Sequence, residues 1–251
     1  MIKKFDVYMT PFHNMRTIHM YLPDDYEQSQ ERYPVIYMYD GHNLFFDTDA
    51  TYGKSWGLKN FLDKYDKKFI VVGMECNHEG QERLNEYCPY SVHHSYFGEI
   101  QGKGDLLMSW VVGELKPYID THYRTIPFRE CTMIAGSSMG GLMALYTAIV
   151  YNQYFSKAAC LSSAIGFCFK EIQQEIMSRD LLADTRIYMD WGSDESRNKV
   201  GLAYSTARHL ELSHLLVKKG IMTYPYLVVN GKHNEASWEK QIPIFMDYLW
   251  K

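Results

Sequence analysis

The sequence predicts an α/β architecture: a mostly parallel sheet of about eight strands with helices on both faces. Three observations predict it. Short runs that are apolar almost throughout, such as 69–74 (FIVVGM) and 131–136 (CTMIAG), read as strands buried on both sides. From residue 105 onward such runs alternate with stretches at helical spacing, the pattern of strand–helix–strand crossovers. Residues 3–10 and 16–22 flank the turn-like break Pro11–Asn14 and read as an opening hairpin, which gives the sheet an antiparallel edge.

The remaining elements follow in order. Residues 33–39 (YPVIYMY) form a strand that stops abruptly at Asp40-Gly41-His42-Asn43. The spacing predicts helices over 105–119, 140–151, 169–179, 199–219 and 236–250, and strands over 158–162, 186–191 and 223–229. There is no repeat, low-complexity tract or linker-like change of composition, so the chain 1–251 reads as one domain. In open sheets of this kind ligands sit beyond the carboxyl ends of the strands. The chemistry is therefore expected just after residues 39, 74, 136, 162, 191 and 229.

Composition removes several function classes. A formal net charge of −4 offers no electrostatic footprint for nucleic acid, and no Lys/Arg run would hold an anionic membrane. No apolar run approaches the roughly 20 residues that span a bilayer. Two early lysines resemble the start of a signal peptide, but Asp6 and the polar residues near Arg16 break the apolar stretch that must follow. Five cysteines, odd in number and without a CxxC pair, suit reduced thiols in cytoplasm better than a disulfide framework.

The most informative stretch is Gly136-Ser137-Ser138-Met139-Gly140, followed by Gly141. It is a G-x-S-x-G pattern entered from a strand and left by a helix, the context of a nucleophilic serine on a tight strand-to-helix turn. The glycines two before and two after Ser138 stand where side chains would clash. The helix that follows directs its first N–H groups toward developing negative charge. A phosphate-binding reading fails because Leu142, not Lys, follows Gly141. Ser137 is the competing hydroxyl, but only Ser138 is centred between the glycines.

A serine hydroxyl needs a base to take its proton, and on this scaffold the chain order is serine, acid, histidine. His209, His214 and His233 follow Ser138. The first two lie in a long helical stretch, whereas His233 falls just after the last strand and is the candidate base. The acid is expected after the preceding strand. Asp194, in the turn after Gly192, is the candidate; Asp190, still within the strand, and Glu195 are the alternatives. Oxyanion donors are expected from the backbone of Met139 and from the loop Tyr39–Phe45 after the third strand.

Four blocks together carry a family resemblance: YMYDGHNLFFD, ELKPYIDTHYRT, AGSSMGGLMALY and GKHNEASW. From about residue 16 to 249 the chain resembles the putative-esterase family, which includes esterase D, feruloyl esterases, enterochelin esterases and mycolyltransferases. The resemblance implies an α/β-hydrolase fold and a serine carboxylesterase acting on a small-molecule ester through an acyl-enzyme. It also implies His42 as the residue whose backbone N–H completes the oxyanion hole. Acyltransfer or thioester hydrolysis, as in S-formylglutathione hydrolase, is the alternative within this chemistry. A non-catalytic binding protein on the same scaffold is the alternative outside it.

The long stretch Glu75–Lys103 contains Arg83, Tyr87, Tyr90, His93, His94, Tyr96 and Phe97. Loops of this length are usually functional. Arg83 and Tyr87 are its candidate substrate contacts, set against an internal ion pair and surface packing. No cofactor or metal is expected: adjacent His93-His94 has no accompanying HExxH or cysteine cluster, and Gly102-Lys103-Gly104 lacks the third glycine of a dinucleotide fingerprint. Between Ser163 and Asp184 there is room for a helix or two but not for a lid domain, so an open site is expected.

Overall fold

A computed structural model of the protein describes residues 1–196 and 198–251. Its main sheet has eight strands, as expected. They are β1 (Ile2–Met9), β2 (Asn14–Tyr21), β3 (Val35–Tyr39), β4 (Ile70–Met74), β7 (Thr132–Ser137), β8 (Lys157–Leu161), β9 (Arg186–Gly192) and β10 (Met222–Val228). The spatial order is β1-β2-β4-β3-β7-β8-β9-β10. The β1/β2 and β2/β4 pairs are antiparallel, and every other pair is parallel. The opening hairpin thus forms the antiparallel edge that the sequence predicts.

The strand periodicity divides the core between the two faces. Along β3, Val35, Tyr37 and Tyr39 pack into one hydrophobic cluster, while Ile36 and Met38 pack into the other. The helices lie on both faces: α2 (Glu82–Glu86), α3 (Gly104–Trp110), α4 (Lys116–His122), α5 (Met139–Val150), α6 (Phe169–Ser178) and α7 (Lys199–Lys218) pack with the first cluster, and α1 (Leu58–Leu62), α8 (Glu235–Glu239) and α9 (Ile242–Trp250) with the second. Helix α5 buries every residue from Met139 to Ile149. A helix apolar all round must lie inside the molecule, and here it packs against β7 and β8.

Two differences from the expected elements have local causes. The helix expected over 105–119 is α3 and α4 joined by a π-helical segment, Val111–Leu115. Pro117 supplies no N–H to the ladder there, and a one-residue widening of the turn absorbs the missing donor. The last helix is likewise split into α8 and α9, with Pro243 in the first turn of the second piece.

The stretch after β4 is ordered as α2 followed by a small hairpin, β5 (Val92–His94) with β6 (Gly98–Ile100). A buried ion pair ties it to the sheet: Arg16 of β2 meets Glu86 at 2.6 Å. Glu86 also accepts the Asn77 N–H at 3.1 Å, and Arg16 donates to the Glu75 carbonyl at 2.8 Å. Every charge in this pair has partners, the condition under which a buried ion pair is tolerated. No described helix is long and apolar enough to cross a membrane.

Candidate active site

Ser138 stands between β7 and α5 with φ 58° and ψ −122°. This is a strained setting for a residue with a side chain. It is stabilised on both sides: the Ser138 N–H donates to the Leu161 carbonyl at 2.9 Å, and the Ser138 carbonyl accepts the N–H groups of Leu142 and Ala164. The turn closes so tightly that a Cβ on Gly136 would lie 2.6 Å from the Gly140 carbonyl carbon. Met139 opens α5, so its N–H has no acceptor within the helix.

Across from Ser138, the segments after β9 and β10 are held together by backbone hydrogen bonds. Ser193 N–H donates to the Val228 carbonyl and Asp194 N–H to the Gly231 carbonyl, both at 2.9 Å. A Cβ on Gly192 would fall 2.2 Å from the Gly231 oxygen, so only glycine permits this approach. The result is that the acid-bearing turn abuts the loop carrying His233.

The acid in contact with His233 is Glu195, which corrects the expectation of Asp194. Glu195 Oε2 lies 3.0 Å from His233 Nδ1. Its other oxygen accepts the Gly192 N–H at 2.5 Å and the Ser162 hydroxyl at 2.7 Å. Burial alone would raise this carboxyl, but the hydrogen bonds from His233 and Ser162 outweigh it and hold the pKa below the usual value. Asp194 is exposed, and its carboxylate accepts the Ser193 hydroxyl at 3.1 Å. With its N–H spent on Gly231, its side chain is left outside the turn. Asp190 is directed into the sheet, accepting the Ser162 N–H at 2.9 Å and the Tyr188 hydroxyl at 3.0 Å.

Ser138 and His233 open onto one cavity of about 390 Å³. Trp238 forms part of its wall, edge-on to the His233 ring at 5.2 Å, with its indole N–H on Ser162 at 2.7 Å. Ser162 therefore links Glu195 to Trp238 behind the imidazole. Glu235, from the first turn of α8, also faces the cavity, and burial raises its pKa. Sequence reading passed over both residues, although they lie within five residues of the candidate base.

On the opposite wall, the loop after β3 turns sharply at Asp40, whose φ is 57°. His42 follows, buried but lining the cavity, with Nε2 on the Thr51 hydroxyl at 3.0 Å. Asp40 is clamped by Arg83 in a two-point ion pair, Nε to Oδ1 at 2.8 Å and Nη2 to Oδ2 at 2.7 Å. Burial pushes the Asp40 carboxyl up, and the guanidinium more than reverses it. Arg83 lines the cavity as expected, but its fork is occupied by Asp40.

Tyr87 is not a cavity residue. It is buried beneath the same loop, where its hydroxyl accepts the Asp40 N–H at 3.2 Å and its ring meets Tyr39 edge-on at 5.0 Å. The rest of the aromatic set in the stretch after β4 also lies away from the cavity, with Tyr96 exposed. His94 stacks on Phe167 at 4.6 Å, and Tyr90 donates to Glu175 at 2.6 Å. These two contacts tie the stretch after β4 to α6 and to the 3-10 turn before it (Ile165–Phe167) rather than wall the pocket. Between Ser163 and Asp184 there is one 3-10 turn and α6, with no lid domain.

Comparisons with known proteins bear on the family and the fold. Residues 11–245 match the family model described as "Putative esterase". The chain is 22% identical over 242 residues to the protein YbbA of Bacillus subtilis (strain 168), covering 94% of this chain and 92% of that one. Among solved structures it resembles an IroE-like serine hydrolase from Shewanella oneidensis, with a TM-score of 0.78 at 20% identity over 99% of this chain and 79% of that one. It also resembles a ferulic acid esterase, with a TM-score of 0.74 at 17% identity over 100% and 97% of the two chains. The fold is that of the α/β-hydrolases.

Proposed function

We propose, for a chain that belongs to the putative-esterase family and is a carboxylesterase-type hydrolase, that it cleaves small-molecule carboxylic esters through an acyl-enzyme on Ser138, with His233 as base and Glu195 as acid. The observation that carries this reading is the 3.0 Å pair of Glu195 and His233, facing the cavity that holds a serine on a strained strand-to-helix elbow.

In this mechanism His233 Nε2 takes the Ser138 proton as Oγ attacks the ester carbonyl. Glu195 keeps the other ring proton on Nδ1 and stabilises the imidazolium that forms. The Ser138–His233 hydrogen bond is completed when substrate binds, as is common for such pairs. The oxyanion is held by the N–H groups of Met139 and His42, each contributing roughly 3–4 kcal/mol to the transition state. His233 then returns its proton to the leaving alcohol, and a water activated by the same imidazole releases the acid.

The cavity wall carries Asp40, Arg83, Asn77 and Glu235 beside Tyr52 and Trp238. That mixture favours esters with hydrogen-bonding or aryl groups over long alkyl chains. We place the enzyme in the cytoplasm, a reading supported by five free cysteines.

Labelling with a fluorophosphonate followed by peptide mapping tests the nucleophile. The adduct is expected on Ser138, and Ser138→Ala is expected to lower p-nitrophenyl acetate hydrolysis by about 10⁴–10⁶. Ser137→Ala is expected to cost far less. An adduct on any other residue overturns the assignment.

A further inference from the structure

We propose that the cavity also holds a binding site for a thiophilic divalent cation of the zinc class, built from His42, Cys76 and His78. The sequence separates His42 from Cys76 and His78, and the sheet brings them together. Strands β3 and β4 are parallel neighbours with Tyr39 opposite Met74, so the loops that follow them leave the sheet side by side. The first loop carries His42 and the second carries Cys76 and His78.

One ligand atom from each residue lies within 4.8 Å of the others. Cys76 Sγ is 3.9 Å from His78 Nδ1, and the two imidazole rings meet at 4.7 Å. In a tetrahedral zinc site with bonds of 2.0–2.3 Å, ligand atoms stand roughly 3.3–3.7 Å apart. The Cys76–His78 separation of 3.9 Å is within about 0.5 Å of that spacing, and the His78 side chain, 55% exposed, has room to adjust toward an ion.

A second observation points to a ligand here. His42 is 93% buried (7% exposed), and its Nδ1 has no hydrogen-bond partner among the described residues. The tautomer in which Nε2 donates to Thr51 leaves a lone pair on that buried Nδ1. Metal-binding imidazoles are usually oriented by a hydrogen bond from the far ring N–H to an oxygen acceptor, a place the Thr51 hydroxyl takes here. Cys76, buried more deeply still, supplies the soft ligand that favours zinc over magnesium or calcium. On binding, its thiol proton passes to solvent and the sulfur bonds as thiolate.

All three residues line the cavity that contains Ser138 and His233. An ion held there occupies space beside the serine, so zinc is expected to inhibit ester hydrolysis and a chelator to restore it. This consequence rests on the proposed active site; the binding itself does not.

The test uses the metal-free chain 1–251 in a non-chelating reductant, titrated with zinc chloride and separately with cobalt(II) chloride. The wild type is expected to bind one equivalent of zinc at micromolar concentration. Its cobalt form is expected to show thiolate-to-cobalt charge-transfer absorption in the near ultraviolet. Cys76→Ser should remove that band, and His78→Ala should weaken zinc binding at least about tenfold. His78 is exposed, so its variant does not threaten folding. His233→Ala should leave zinc affinity unchanged. Absence of zinc binding in this range overturns the proposal. So does cobalt uptake without the band, or binding lost with His233 and kept without Cys76 and His78.

Discussion

Glu195 Oε2 sits 3.0 Å from His233 Nδ1, while the carboxylate of the adjacent Asp194 is turned to solvent and to Ser193. Two consecutive acids thus have different surroundings, and mutation separates them. In Glu195→Gln the amide oxygen keeps the Gly192 and Ser162 donors, leaving the amide N–H toward His233. That favours the tautomer with its proton on Nε2, which cannot accept the serine proton. The expected loss in kcat is about 10³–10⁴. Asp194→Asn is expected to stay within about tenfold of wild type. The reverse order in a side-by-side kinetic comparison returns the role to Asp194.

The Arg83–Asp40 clamp predicts a stability effect that a substrate contact does not. Asp40→Asn removes the charge that neutralises a largely buried guanidinium. For a fully buried pair this costs about 3–5 kcal/mol; with the Arg83 side chain 32% exposed, about 1–3 kcal/mol is expected. For a chain of this size that is a fall in Tm of several degrees, at about 2–4 °C per kcal/mol. Arg83→Met should show a similar fall and lower kcat for neutral and anionic esters alike. If instead it raises KM for anionic esters only, with Tm unchanged, Arg83 is a substrate anchor.

The sequence is legible where local geometry dictates residue type. Gly136 and Gly140 frame Ser138 because the turn leaves no room for side chains, and His233 is found by its place after the last strand. The choice between Asp194 and Glu195 is not local: it depends on which side chain the turn directs across the gap closed by Gly192 and Gly231. Tyr87 misleads for a similar reason. An aromatic in a long connection carries no periodicity, so exposure in a pocket and burial beneath a loop look alike. The approach of His42 to Cys76 and His78 follows from the neighbouring placement of β3 and β4, and no ligand spacing along the chain announces it.

At His42 a main-chain role and a side-chain role predict different outcomes. The proposed oxyanion donor is the N–H, which every residue except proline carries. His42→Ala is therefore expected to lose at most about tenfold in kcat, from altered packing against His78 and Thr51. His42→Pro removes the donor and is expected to lose at least about 10²–10³; thermal melting checks that the proline variant is folded. A collapse of kcat in well-folded His42→Ala, as deep as that of Ser138→Ala, rules out the backbone assignment.

Asp190 predicts a pH dependence of stability. Its carboxyl is fully buried, and burial pushes its pKa up to about 7 against the hydrogen bonds from Ser162 and Tyr188. In the unfolded chain an aspartate titrates near 3.9. Between about pH 4 and 7 the folded protein therefore holds a proton that the unfolded chain has lost. Stability from this group is full below pH 4 and falls as pH rises, by about 1.4 kcal/mol per pH unit within the window. Asp190→Asn removes the titration, and its oxygen can still accept the Ser162 N–H. Urea unfolding of both proteins at pH 4.5, 6 and 8 should show the variant gaining on the wild type as pH rises, with the largest advantage at pH 8. Titrating groups remote from Asp190 affect both proteins equally, so the difference reports Asp190 together with its coupling to the Glu195 charge. A difference that stays constant across the three pH values shows that Asp190 titrates at its ordinary value in the folded chain.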